Sequence, residues 1–175
     1  MNCSLNGFCC GNRAEKYHPS ELLSEEWALV ATAVEQRRRE FAAGRLLARR
    51  LVKSFGHSGP LGRQPDGLPD WPPGIVGSIT HCVSLAAVAI GSAADCSGIG
   101  IDVEVNKPMP EGVPKLILTE EERSWSEAGH VTALQIFCAK EALDKAIYRS
   151  AKDLLSLTQW SSSRRSRARL YGILA

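Results

Sequence analysis

The sequence predicts an α+β protein, and three observations carry that reading. Residues 20–56 place apolar side chains at helical spacing, residues 75–105 hold three short apolar runs, and residues 110–155 return to helical spacing. Helix, strand cluster and helix, without regular alternation, suit a small antiparallel sheet flanked by helices. At 175 residues and 44% hydrophobic, the chain can bury a core as one domain or as two small lobes.

Taken in order, residues 1–19 carry turn formers and little periodicity, so a loose segment is expected there. Residues 20–56 then read as one long helix or two abutting ones, with Ser20 or Ser24 as N-cap and Gly56 as stop. Val30, Val34, Phe41, Ala48 and Leu51 or Val52 supply the apolar stripe. The Pro/Gly-dense loop HSGPLGRQPDGLPDWPPG follows, carrying Arg63 and Trp71, and loops this long are functional or disordered. IVGSITHC, SLAAVAIGS and GIGIDVEV come next, and their short connections predict a three-stranded meander. A second helical region opens near residue 110, with Thr119 capping Glu120, Glu121 and Glu122. TALQIFCAKEALDKAIYRSAKDLL is a strong helix, apolar at Leu134, Phe137, Cys138, Ala142 and Ala146. Residues 20–105 thus group as a first unit and 106–160 as a second, ahead of an atypical Ser/Arg-rich tail at 161–175.

Charge is unevenly spread although the net charge is only +2. Residues 35–53 carry a local charge of +5 and residues 95–122 a local charge of −5. The pattern suits binding a polyanion on one side and a cation on the other, or simply two complementary solvated faces. The six cysteines form no CxxC pair and no finger-like spacing with histidine, which argues against a zinc site or a secreted disulfide framework. The N-terminus lacks a signal-peptide pattern, and no apolar run approaches the ~18 residues a membrane span needs. A cytoplasmic protein with reduced thiols is expected.

Chemistry concentrates in a few places. Along a strand Asp102 and Glu104 leave on one face, roughly 7 Å apart, so they repel unless a cation sits beside them. A strand end reaching solvent fits the heptad GIGIDVE equally well. Glu141 and Lys145 stand at i, i+4 on a helix, as an ordinary surface ion pair or as a third oxygen ligand with a phosphate-binding lysine. Three converging carboxylates would suit magnesium and a phosphorylated substrate. His81 lies beside Thr80 at a strand end, a structural histidine or an anion contact. No GxxxxGK[ST], GxSxG or HExxH occurs, and GIG at 98–100 is no dinucleotide fingerprint. Arg164, Arg165, Arg167 and Arg169 lack the aromatic interleaving of a nucleic-acid module.

The ordered motifs RRREFAAGR, GRQPDGLPDWPPGIVGSITHC, GIGIDVE and FCAKEALDK resemble the 4′-phosphopantetheinyl transferases. The similarity is to the siderophore and polyketide type, which includes the enterobactin synthetase component D-like enzymes, and it runs from about residue 22 to about residue 158. The resemblance implies two pseudo-symmetric lobes, each with a small antiparallel sheet and a long helix, the second of them truncated here. It also implies Mg²⁺-dependent transfer of phosphopantetheine from coenzyme A to a serine of an apo-acyl or peptidyl carrier protein, releasing adenosine 3′,5′-bisphosphate. Asp102, Glu104 and Glu141 would hold Mg²⁺, and Glu141 would take the serine proton, directly or through water. Lys145, with Lys140, would stabilise pyrophosphate charge. Arg37, Arg45, Arg63 and His81, with Thr80 backing His81, would contact the coenzyme's phosphates. A monomer without nucleic-acid partner or membrane span is implied. The abrupt composition after Ser161 raises a truncated or frame-shifted ending, and with it a non-catalytic remnant that binds coenzyme A or carrier without turnover. A metal-dependent phosphohydrolase is the third reading. A first strand is expected to be missing from the short N-terminal stretch.

Overall fold

The computed structural model describes residues 7–13, 16–83, 85–151 and 169–172. Most of the Ser/Arg-rich tail and the end of the second helical region lie outside the described residues. The strands are β1 (Gly7–Arg13), β2 (Gly62–Arg63), β3 (Pro69–Asp70), β4 (Ile75–Cys82), β5 (Leu85–Ser92), β6 (Ile99–Asp102) and β7 (Arg169–Gly172). The helices are α1 (Ser24–Ala28), α2 (Glu35–Lys53), α3 (Val113–Ile117), α4 (Glu120–Glu127) and α5 (Ala133–Ala151).

The first helical region divides into α1 and α2, and neither Ser20 nor Ser24 caps it. Leu23 and Val34 hold the two N-cap positions. The start of α1 is satisfied by Glu26, whose Oε2 accepts from the Leu23 N–H at 3.1 Å. Glu26 is fully buried, yet both its oxygens are paired. Oε1 accepts from the Leu61 N–H at 3.0 Å, and Arg49 Nη1 stands 3.2 Å from Oε2. Such complete pairing offsets the cost of burying a carboxylate. Glu26 thereby ties α1 to α2 and to the Pro/Gly-dense loop, which folds into the small β2–β3 hairpin.

β4 and β5 pair antiparallel from Ile75↔Ser92 to Cys82↔Leu85, as their sequences predict. Ala43, Leu47 and Val52 of α2 cover one face, over Ile75, Ala86, Val88 and Ile90. The other face buries Val76, Ala87 and Ala89 against Ile99 and Ile101 of β6. Burial on both faces explains why β5 reads LAAVAI rather than alternating with polar residues.

The third strand of this sheet is not the expected one. β1, within the stretch read as loose and lacking a strand, pairs antiparallel with β5 from Gly7↔Gly91 to Arg13↔Leu85. Its sequence GFCCGNR is weak in strand formers, so pairing with a buried neighbour makes the strand, not propensity. β6 leaves the meander and pairs in parallel with β7, from Ile99↔Arg169 to Asp102↔Gly172. Its link to β4 runs through side chains: the Ile101 N–H donates to Ser78 Oγ at 3.2 Å, and the Val103 N–H to Thr80 Oγ1 at 3.3 Å. The ladder ends at Asp102, short of the predicted Val105, and the Val103 N–H turns to the threonine instead. Thr119 caps α4 in a full capping box, its Oγ1 accepting from the Glu122 N–H at 3.2 Å.

Gly98 and Gly100 are glycines because α5 lies on the backbone of β6. A Cβ at either position would overlap a carbonyl oxygen of α5, that of Ala146 or of Ala142. Gly100→Ala is therefore expected to lower stability by about 1–3 kcal/mol, the range of overpacked cores, measured by urea denaturation. Gly11→Ala, whose Cβ would meet only atoms at 3.9 Å, serves as control and should stay near the parent.

Candidate active site

Asp102 closes β6 and is 5% exposed. Its Oδ1 accepts from Thr80 Oγ1 at 3.0 Å and from Lys145 Nζ at 2.5 Å. Lys145 also donates to the Ile101 carbonyl at 3.3 Å. The second oxygen, Oδ2, is buried without a hydrogen-bond partner. Such an orphan in a native interior marks strain or a ligand position.

Around this carboxylate α5 presents one face. Cys138, Glu141, Ala142 and Lys145 follow i, i+3, i+4, i+7, so all four share a side of the helix. Burial pushes the Glu141 carboxyl above its usual range; Lys145 opposes this, and Asp102, Asp144 and Glu104 reinforce it. The Cys138 thiol is pushed up to about 12 by burial, then by the charge of Asp102 and a hydrogen bond to it, and by Glu104, with Lys145 opposing. Burial raises Asp144 as well. The acids therefore feel one another across a shared region, with Lys145 as the cation among them. Lys140, five residues before Lys145, lies about 140° round the helix. It donates to Glu122 Oε2 at 2.6 Å and to the Ile117 carbonyl at 2.9 Å, which fastens α4 to α5 and takes it away from Asp102.

The opposite charge gathers where α2 meets the end of β4. Arg37 Nη1 stands 2.6 Å from His81 Nε2, and Glu40 Oε2 lies 3.5 Å from His81 Nδ1. Burial and then Arg37 hold His81 below its ordinary value; Glu40 opposes them and Lys145 adds to them. Arg45 is 4% exposed and stacks 4.7 Å over the Phe41 ring, with Nε and Nη1 unpartnered. Burial lowers its pKa to about 10 against the pull of Glu26, and Arg63 and Arg37 add to the lowering. Arg63 is exposed, its Nε donating to the Gly67 carbonyl at 3.0 Å. A buried guanidinium with unpartnered donors and two cationic neighbours would be stabilised by an anion.

Asp102, Glu104, Glu141, Lys145 and Thr80 thus share the acidic side, and Arg37, Arg45, Arg63 and His81 the basic one. Thr80 does not back His81: adjacent residues on a strand leave on opposite faces, and its hydroxyl serves Asp102. Arg38 and Arg49 are engaged elsewhere, over the Trp27 ring and on Glu26. Sequence reasoning passed over Glu40, Cys138 and Glu26. Glu40, one turn from Arg37, was the signal available; burial of a glutamate is not written in its neighbours. Among the described residues, no three His, Cys, Asp or Glu side chains stand close enough as placed to hold a metal ion. The donor set itself, carboxylates with one unpaired buried oxygen, fits a hard divalent cation.

The raised Glu141 has a consequence for stability. A carboxyl whose folded pKa exceeds its unfolded one favours folding only while protonated, and that contribution is lost as pH rises through the folded value. Glu141→Gln should therefore melt above the parent near pH 8, with the difference closing near pH 4. An equal or lower melting temperature near pH 8 would refute the electrostatic crowding described above.

The comparisons with known proteins agree across both halves of the chain. The family model for the 4′-phosphopantetheinyl transferase N-terminal domain matches residues 25–91. The model for the 4′-phosphopantetheinyl transferase superfamily matches residues 98–174. The second match corrects the expectation that resemblance stops near residue 158. Arg169–Gly172 joins β6 through backbone pairing, which composition does not reveal. The 4′-phosphopantetheinyl transferase Svp of Streptomyces mobaraensis is 42% identical over 138 residues, 74% of this chain and 55% of that protein. The 4′-phosphopantetheinyl transferase Npt of Nocardia iowensis is 39% identical over 136 residues, 75% of this chain and 59% of that protein. Enterobactin synthase component D of Salmonella typhi is 27% identical over 161 residues, 86% of this chain and 64% of that protein. The chain spans less than two thirds of the length of each of these relatives. With one match on the α2 side of the site and the other on the β6–α5 side, the chain belongs to the 4′-phosphopantetheinyl transferase superfamily.

Proposed function

We propose that this chain transfers the 4′-phosphopantetheine group of coenzyme A to a serine of an apo-acyl or peptidyl carrier protein, releasing adenosine 3′,5′-bisphosphate. The observation that carries the reading is the half-satisfied, buried Asp102 carboxylate. Its Oδ1 is shared by Thr80 and Lys145, while His81, the residue after Thr80, meets Arg37 on the basic side, where Arg45 keeps two unpartnered nitrogens. The curated relatives named as 4′-phosphopantetheinyl transferases support the substrate class. We take the matched segments 25–91 and 98–174 as the two lobes.

Asp102, Glu104 and Glu141 would hold Mg²⁺, which when bound supplies Lewis-acid stabilisation to a pyrophosphate. Arg45, Arg37, Arg63 and His81 bind the coenzyme's phosphates, Arg45 at least cost because two of its donors have no partner to give up. Glu141, with its raised pKa, suits a general base and accepts the serine proton directly or through one water. The serine oxygen then bonds to the β-phosphorus as the bond to the bisphosphate breaks. Lys145 stays beside the developing charge, with its ammonium fixed by Asp102 and the Ile101 carbonyl. Lys140 takes no phosphate in this scheme, being spent on Glu122. Coenzyme A chemistry and the unbridged thiols of Cys82 and Cys138 suit the cytoplasm. No helix among the described residues is long and apolar enough to cross a membrane.

Incubation with apo-carrier protein, coenzyme A and Mg²⁺ tests the reading by intact-mass measurement. A gain of one phosphopantetheine on the carrier is expected. Asp102→Asn, which keeps the side-chain shape, should lower turnover at least about a hundredfold. Full activity in that variant would overturn the charge assignment. Consumption of coenzyme A without carrier would identify a phosphohydrolase, and binding without either reaction a non-catalytic member.

A further inference from the structure

The contact between α2 and the end of β4 contains a proton whose place can be deduced. Arg37 Nη1 stands 2.6 Å from His81 Nε2. A guanidinium has only donors to offer, so Nε2 accepts, and the neutral imidazole carries its proton on Nδ1. That N–H faces Glu40 Oε2 at 3.5 Å, and the same oxygen lies 3.8 Å from Arg37 Nη1. Glu40 sits where α2 presents both partners: Arg37 is three residues earlier, one turn away. The charged groups facing the ring are Arg37 and Glu40 from α2 and Lys145 from α5; of these Glu40 alone favours a charged imidazole, with a smaller contribution from a hydrogen bond to the backbone of His81 itself.

In this arrangement His81 cannot donate from Nε2 while Arg37 points at it. A phosphate monoester arriving at the basic cluster competes for Arg37, since a charge-assisted bond to phosphate is stronger than one to neutral imidazole. Once Arg37 turns to the anion, Nε2 is uncovered next to a negative charge.

We propose that Glu40 is a positioning residue for phosphate recognition: it anchors the Nδ1–H side of His81, so that Nε2, released by Arg37, takes up a proton from solvent and donates to the bound phosphate. Glu40 balances the resulting imidazolium, so the phosphate meets two cationic donors, Arg37 and His81, where the free protein presents one. The inference rests on the coenzyme A reading above and adds to it a residue and a proton.

The probe is adenosine 3′,5′-bisphosphate. Nitrogen-15 correlation spectra of the free chain should show His81 as the Nδ1–H tautomer, with Glu40→Gln moving it toward a mixture. Calorimetry of bisphosphate binding in buffers of different ionisation enthalpy reads proton uptake near neutral pH. The parent should take up more protons than His81→Asn, and Glu40→Gln should lose most of that excess. Affinity in Glu40→Gln should weaken about tenfold, with turnover at saturating coenzyme A little changed. Glu40→Asp should recover part of the proton uptake, which a merely structural role would not require. An Nε2–H tautomer in the free chain, or equal proton uptake by the parent and Glu40→Gln, overturns the role of Glu40 alone. A parent chain that does not bind the bisphosphate overturns the coenzyme reading and this inference with it.

Discussion

A helix can rest on the backbone of a strand only if the strand has no side chains on that face, and the site depends on that condition. Gly98 and Gly100 meet it, since a Cβ on either would enter the space of an α5 carbonyl. The close approach fixes α5 in both height and rotation over β6. Cys138, Glu141 and Lys145, which share the contacting side of α5, then arrive at Asp102, the last residue of the same strand. The ion pair of Lys145 with Asp102 at 2.5 Å follows from the glycines rather than holding the elements together by itself. An exposed helical ion pair contributes little; this one is half-buried and joins residues 43 apart in sequence.

The two halves of the site solve opposite charge problems by the same means. On the acidic side, burial raises Glu141 and leaves Asp102 Oδ2 unpaired. On the basic side, burial lowers Arg45 and leaves two of its nitrogens unpaired. Two other buried charges are fully met: Glu26 has partners on both oxygens, and Lys140 is met by Glu122 and a carbonyl. Of the four buried side-chain atoms without a partner among the described residues, three belong to Asp102 and Arg45, and the fourth, Arg38 Nε, lies with the guanidinium over the Trp27 ring. Proteins commonly keep destabilising charge where function needs it.

What the sequence made legible followed from local chemistry. The β4–β5 hairpin, the capping of α4 by Thr119 and the i, i+4 placement of Glu141 and Lys145 each depend on residues close in sequence, and each is present. The meander failed at β6 because its partner β7 lies some 70 residues away, and parallel pairing leaves no turn signature. β1 was missed for the same reason: its strand character is lent by β5. Lys140 and Lys145 looked alike in the motif, and only the turn of the helix separates the lysine that holds α4 from the one that holds Asp102. The division of the α2 arginines between structure and site was likewise invisible, since Arg49 is claimed by a glutamate 23 residues earlier.

The acidic and basic sides are joined by two consecutive residues of β4. Thr80 leaves one face of the strand and donates to Asp102, and His81 leaves the other and meets Arg37. Because strand side chains alternate with period two, a register slip of one residue would exchange them. Histidine would then face the carboxylates and threonine the arginines, and both sides would lose their chemistry at once. The slip is opposed by the length of the β4–β5 ladder, eight residues from Ile75 to Cys82. It is opposed more strongly by β5, whose even-numbered residues Ala86, Val88 and Ile90 pack under α2 while Ala87 and Ala89 pack under β6. The alanines of β5 are what allow β6 and its glycines to come close on that face. The small residues in the middle of the sheet and those before and in β6 therefore serve one end: they set how near the Asp102 carboxylate and Lys145 can stand.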